Sequence, residues 1–467
     1  MSTDPNAFRA FIPASLEQAL EDGLRHAMAL GAAGAEAYVT VSRSRKAKVK
    51  NGVLDDLTAS KRGGLGVRVL RGDGAGLACG LATTTDLSRR DFRDLFATAF
   101  ELAALGDRDP WIRQALPSGD DDLPGRYRPE VESLAPESRI ERAHALEQAA
   151  RKASEKVSAV RESSWSDGSG ASLLLTQHGV RACDLASTCS AVLELAVEED
   201  GDRQAAWHWD MGRVPADLDL AAIGRAAVLK GERKLKPASL PAGRYRVVLD
   251  PEVSVDLLGI VADMLSAEAV LKGRSLFKGR LGERIASPLL TLVDDGRMLP
   301  GPDGRGGLAS EPWDAEGLPT RRNVLIEDGV LRTYLHTLKT AAEMGVEPTA
   351  SAGRGIGSNP AVTTFNLFPA AGSKRAADLH RDAGEGVLIT EIMGLHTVDP
   401  VSGDLSVGAS GVRIRGGQLA ESVDKLTLAG NFKDLLARIV AVGNDLTWYG
   451  SSAGVSLLLE DLALGGS

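Results

Sequence analysis

Pro110, Pro117, Pro124, Pro129 and Pro136 punctuate residues 107–136, where hydrophobic periodicity lapses and Asp120-Asp121-Asp122 adds an acidic run. Proline fixes φ and carries no backbone N–H, so such a stretch neither continues a helix nor sits inside a sheet. It reads as a linker or an extended wrapping segment, and the chain must build its structure on either side of it. At 467 residues the chain is also too long for one ordinary core. The expected class is α+β. An N-terminal α/β domain covers 1–106, a small middle α+β domain 137–235, and a large antiparallel β-rich domain, barrel- or sandwich-like, 242–467.

Local patterns support this division. Ser15 and Gln18 make a capping-box pair, Leu16, Leu20, Leu24 and Met28 share a helical face, and Gly31 suits a stop. Strand patterns follow over 35–42, 48–58, 64–71 and 75–81, with a turn at Arg71-Gly72-Asp73-Gly74. Helical spacing returns from about Thr85 to Gly106. The middle region offers helices over 137–160 and 217–230, around short strands at 171–177, 180–185 and 191–198. Beyond residue 242 one helix, 251–271, precedes many short apolar runs with Gly turns, including 245–249, 289–293, 322–326, 387–392, 412–415 and 456–459.

A net charge of −9 does not suit a protein that coats nucleic acid, so no nucleic-acid partner is expected. The local basic run of Arg43, Arg45, Lys46, Lys48 and Lys50 reads as a solvated strand edge, with a polyanion site as the alternative. Three cysteines, Cys79, Cys183 and Cys189, fit small buried apolar residues in a reducing compartment. The first thirteen residues show no signal-peptide pattern, and no apolar run approaches the ~18 residues of a membrane span. A cytoplasmic protein with no membrane partner is expected.

None of the seven histidines has a partner at i+3 or i+4, the spacing that helix-based metal ligation requires. His336, His396 and a carboxylate form the one alternative metal set. Trp207-His208-Trp209-Asp210 reads as aromatic cover for the middle domain, with a peptide-stacking surface as the alternative. Gly353-Arg354-Gly355-Ile356-Gly357-Ser358 reads as a flexible loop. In Asp55-Asp56 and Asp294-Asp295 strand alternation sends neighbouring carboxylates to opposite faces, so one of each pair at most can face a site.

A more specific signal is an ordered series of motifs. Lys272-Gly273-Arg274-Ser275 runs through Gly282-Glu283-Arg284 and is followed by Val293-Asp294-Asp295-Gly296. Asn323-Val324-Leu325-Ile326-Glu327-Asp328-Gly329, Gly403-Asp404-Leu405-Ser406, Ala429-Gly430-Asn431 and Val442-Gly443-Asn444-Asp445 come after. Taken in order, the series resembles the C-terminal domain of the TldD/PmbA family of peptidases, formerly labelled modulators of DNA gyrase. The strand pair over 64–80 resembles that family's N-terminal domain.

The resemblance implies a choice between two subunit types. The TldD type carries His-Glu-x-x-x-His on the helix before the Lys-Gly-x-Ser segment, and a later Cys completes its zinc site. By that spacing Leu258 stands for the first His, Gly259 for the Glu and Asp263 for the second His. No cysteine follows Cys189, and Thr447-Trp448-Tyr449-Gly450-Ser451-Ser452 holds none. Periodicity reads Val255, Leu258, Val261, Ala262 and Leu265 as a core stripe.

The implied role is a PmbA/TldE-type subunit without the zinc motif, with no catalytic residue and no cofactor of its own. Zinc is expected in a TldD-like paralogue, with which the chain forms a metallopeptidase for unfolded peptides and peptide precursors. Arg280, Glu283, Arg284, Asp294, Asp295, His336 and His396 are candidates for the chamber wall or the subunit interface. For Arg280, Glu283 and Arg284 an internal salt-bridge network is the alternative. Two other functions stay open, a homodimeric peptide-binding protein and an independent hydrolase with a rearranged site.

Overall fold

The computed structural model describes residues 4–73, 75–119, 123–301 and 304–466. Asp120, Asp121 and Asp122, Gly74 of the expected turn and the opening Met1, Ser2 and Thr3 lie outside the described residues.

Helix α1 (Pro5–Phe11) starts where the Asp4 carboxylate accepts N–H bonds from Asn6 and Ala7, with proline at the first turn. Helix α2 (Ala14–Ala29) takes Pro13, not Ser15, as its N-cap, because proline's fixed φ already sets up the first turn. Leu16, Leu20 and Leu24 are buried as the spacing predicts, whereas Met28 in the last turn is exposed. Helix α3 (Arg93–Ala103) begins later than the sequence pattern suggests. It lays Phe96 across Gly23 of α2, where any Cβ would overlap the ring.

These helices cover one half of a six-stranded antiparallel sheet. Its strands are β1 (Gly34–Lys50), β2 (Val53–Asp73), β3 (Gly76–Thr84), β4 (Val157–Thr176), β5 (Arg181–Glu199) and β6 (Asp202–Gly212), in the order β3-β2-β1-β4-β5-β6. The β1–β4 pairing runs from Glu36 opposite Thr176 to Val49 opposite Ser163. A single sheet therefore joins strands from both sides of the proline-bearing segment. Strand β2 continues straight through Gly63 and Gly64, where the sequence reading breaks it.

After α4 (Pro129–Glu132), helix α5 (Pro136–Ala153) opens on its proline, and α6 (Leu220–Glu232) is capped by Asp219. The expected extension of α5 to Val160 fails, because the β-branched Val157 and Val160 are taken up by β4.

Strand alternation places both sets of helices on the same face of the sheet. One core gathers Ala37, Val39, Leu65, Val67 and Leu173 under α1–α3, and another gathers Val49, Trp165, Leu193 and Leu195 under α5 and α6. Cys189 and, in part, Cys183 are buried on that face. Each fully buried Leu, Phe or Val contributes roughly 1.5–3 kcal/mol. The other face carries Tyr38, Gly66, Ser172 and Leu174 and meets the C-terminal region. There Gly353–Ser358, read from sequence as a flexible loop, packs Ile356 onto Gly64 and Gly66.

The C-terminal region is β-rich. Strand β7 (Gly243–Leu249) pairs in parallel with Gly386–Met393 and antiparallel with Leu457–Gly465. Asp404–Arg415 and Gln418–Asn431 continue the ring, and Thr427 opposite Gly465 closes a five-stranded barrel. Several barrel strands are longer than the apolar runs predict, since they pass through glycines. A Cβ at Gly411, for instance, would overlap the Leu388 carbonyl. Helix α7 (Pro251–Met264) and the short α8 (Ala267–Leu271) replace the single helix expected over 251–271. The break comes at Ser266, which bridges to Leu335. Among the described residues no helix is long and apolar enough to cross a membrane.

Candidate functional site

The site is built on α7. Asp250 caps its N-terminus by accepting the Glu252 N–H at 3.1 Å, Pro251 occupies the first turn, and Glu252 faces the positive end of the helix dipole. Leu257, Leu258, Val261, Ala262 and Leu265 point into the barrel core, each 3% exposed or less. The outward face carries Asp256, Gly259, Ile260 and Asp263, at the i, i+3, i+4, i+7 spacing of one helical stripe.

Partial burial pushes the Asp256 and Asp263 carboxyls above their usual range, and for Asp256 the nearby Glu252 adds to it. Gly259 leaves a bare patch between them, with open space where a Cβ would stand.

These residues do not fit a zinc ion. Leu258 has no ligating atom and is buried in the core, Gly259 has no side chain, and Asp263 offers one carboxylate where a catalytic zinc takes about three protein ligands. Among the described residues no group of three His, Cys, Asp or Glu could hold a metal ion.

Beside α7 lies a cleft of about 260 Å³, walled by α6 and β6 on one side and by α7 and strand Gly386–Met393 on the other. Two ion pairs cross it, Lys230 to Glu252 and Lys234 to Glu391, both at 2.5 Å. Lys230 also stands 5.8 Å from the ring of Trp207, whose indole is half exposed at the rim. Burial raises the Asp250 carboxyl, and burial with the neighbouring Asp250 and Glu252 raises the Tyr449 hydroxyl.

The outer edge of β6 pairs with no strand among the described residues, although side chains already meet two of its main-chain groups, the Met211 N–H donating to Asp210 and the Ala205 carbonyl accepting from Lys234. The Trp-His-Trp-Asp run in β6 divides by strand alternation. Trp207 and Trp209 share one face, and Trp209 lies against the turn at Gly450. His208 faces the other way, and burial lowers it to about 4. Asp210 pairs with Arg305.

The remaining candidates are dispersed. Arg280 and Glu283 pair on the surface, while Arg284 donates to the Asp328 carbonyl at 2.9 Å and so ties down the turn after strand Arg322–Glu327. Asp294 and Asp295 turn to opposite sides of their strand. Asp294 is fully buried, accepts the Phe365 N–H at 2.7 Å, and is pushed up to about 7 by burial, its Oδ2 atom having no hydrogen-bond partner. Asp295 is partly exposed, 3.8 Å from Arg322. His336 is buried edge-on to Tyr334 at 6.5 Å and lowered to about 4 by burial, whereas His396 is exposed on the 3-10 turn Leu395–Thr397.

The basic run of β1 is neutralised locally, Arg45 to Glu132 at 2.8 Å, Lys46 to Glu162 at 2.7 Å and Lys48 to Asp55 at 3.2 Å. Sequence reasoning missed Lys230, Lys234, Glu252 and Glu391. Only the Asp250-Pro251 helix start was a usable local signal, because the cleft arises from contacts between distant segments.

Three consecutive family descriptions match the chain: PmbA/TldA metallopeptidase domain 1 at residues 35–103, the central domain at 129–235 and the C-terminal domain at 242–466. The chain is 27% identical over 460 residues to the metalloprotease PmbA of Escherichia coli O157:H7, covering 96% of each. It is 30% identical over 413 residues to a metalloprotease of Methanothermobacter thermautotrophicus, covering 86% of each. In fold it matches TldE from Thermococcus kodakarensis with a TM-score of 0.84 over 96% of this chain and 100% of that one, at 21% identity.

Proposed function

Because this chain belongs to the PmbA/TldA metallopeptidase family, we propose that it serves as the zinc-free, PmbA/TldE-type subunit of a two-component peptidase. In this reading it supplies part of the chamber in which an unfolded peptide or peptide precursor meets the zinc of a TldD-like partner. The observation that carries the proposal is the make-up of α7. At the positions where the partner type places its zinc motif, this helix offers a core leucine, a bare glycine and a single aspartate. The unpaired edge of β6 beside the cleft supports the substrate class, since main-chain pairing grips an extended peptide with little regard to its sequence.

The test is cleavage of an unstructured peptide in zinc-supplemented buffer, by the purified chain alone and by the chain mixed with its zinc-motif paralogue. Cleavage in the mixture only, abolished by a chelator, is the expected result. Chelator-sensitive cleavage by the chain alone would sink the proposal in favour of an independent hydrolase. Peptide binding with no gain in cleavage on mixing would leave a homodimeric peptide-binding protein.

A further inference from the structure

On the side away from β1, strand β2 leaves a long edge free. Strand β3 runs beside it only from Leu65 onward, and among the described residues no strand flanks residues 53–64 on that side. Nor does any hydrogen bond from outside the β1–β2 pair reach the main chain of residues 56–62 among the described residues. The backbone there is regular, paired one-for-one with β1 from Asp56 opposite Lys48 to Arg62 opposite Ser42. Every residue of that stretch is exposed, Leu57 by 47%. An open and regular edge is a template for another strand.

Charge decides which strand fits. The edge reads Asp56-Leu57-Thr58-Ala59-Ser60-Lys61-Arg62. Asp55, the extra residue of a bulge, is already paired with Lys48 at 3.2 Å. Asp56 accepts only the Thr58 hydroxyl, and Lys61 and Arg62 hold no ion pair among the described residues. The edge thus carries an acid at one end, bases at the other and small residues between. Charges on an edge discourage most strands from pairing, but this series is complementary to its own reverse.

Two identical strands that pair edge to edge and antiparallel are related by a twofold axis perpendicular to the sheet, so one residue faces its own copy. With Ala59 on that axis, Asp56 stands opposite Arg62 of the second copy, Leu57 opposite Lys61 and Thr58 opposite Ser60, each pair occurring twice. Opposite charges and hydroxyl pairs directly across two strands are stabilising. The apolar stem of the lysine covers the leucine, and alanine leaves the axis uncrowded.

We propose that two copies of this chain join along β2, antiparallel about Ala59, so that their six-stranded sheets continue into one another. The inference rests neither on the zinc-free reading nor on a TldD-like partner, and its failure would leave both standing.

Sedimentation velocity of the full chain over a range of concentrations, with charge-exchanged variants, tests it. The unaltered chain should form a dimer. Asp56→Arg sets arginine against arginine at both contacts, Arg62→Asp sets aspartate against aspartate, and either should weaken dimerisation roughly ten-fold or more. Mixing the two variants brings arginine opposite aspartate at both contacts and should restore the dimer, as should the variant that carries both substitutions. Recovery on mixing also shows that each variant is folded. A chain that stays monomeric, a dimer indifferent to either substitution, variants that fail to recover when mixed, or association only on adding the zinc-motif paralogue would each overturn the proposal.

Discussion

At Gly259 the helix has no side chain and nothing for one to strike. A glycine inside a helix costs roughly 0.5–1 kcal/mol relative to alanine, so Gly259→Ala should raise stability by about that amount in urea denaturation. If the bare patch forms part of the chamber wall, the same substitution should slow cleavage by the mixed subunits while the protein becomes more stable.

Asp294 makes a second prediction through its titration. Its carboxyl is held at about 7, above the ordinary 3.8, because burial disfavours the charge. Between those values the unfolded chain loses a proton that the folded chain keeps, so stability falls as pH rises from about 4 to 7 and levels off above. Asp294→Asn, which can still accept the Phe365 N–H, should flatten that slope. It should also stabilise the protein at pH 8, by at most about 4 kcal/mol. An unchanged pH profile of the melting temperature would refute this. His336 acts with the opposite sign, since its lowered value costs stability as pH falls from 6.5 towards 4. Neither shift was legible in the sequence, because burial arises only when the fold closes. The core stripe of α7 was legible, because it repeats every three or four residues.

Among the elements, β2 shows why local reading stops short. Its first half is exposed and lacks apolar alternation, so the break read between residues 58 and 64 follows from composition, while the backbone stays paired with β1 throughout. The glycines there serve a distant contact. Gly66 has no room for a Cβ beneath the Ile356 main chain, and Gly66→Ala should cost about 1–3 kcal/mol by forcing the two regions apart. Thermal unfolding measures this directly, and an unchanged midpoint would show that the Ile356 loop yields freely. The helices were read well where proline or an Asx cap marks the start, and poorly at their ends, as α5 shows against β4.

Over the whole molecule, the β1–β4 ladder ties the regions on either side of the proline-bearing segment more firmly than the segment itself does. A protease site built at the exposed Ser118-Gly119 should yield two fragments that co-elute on size exclusion and separate only in denaturant. Fragments that drift apart in native buffer would contradict it. The α+β class and the β-rich C-terminal region were visible in the spacing of apolar runs and glycine turns. The shared sheet was not, because β1 and β4 are joined by register alone across more than a hundred residues.

Closure of the barrel sets an order on biosynthesis. Strand β7 emerges from the ribosome long before Leu457–Gly465, the neighbour that seals one of its sides. At about 5–20 residues per second, the roughly two hundred residues between them take on the order of 10–40 s to make. During that interval the six-stranded sheet can already be complete while β7 waits with an open flank. The nascent chain is therefore most exposed to chaperones and to mispairing in its C-terminal half.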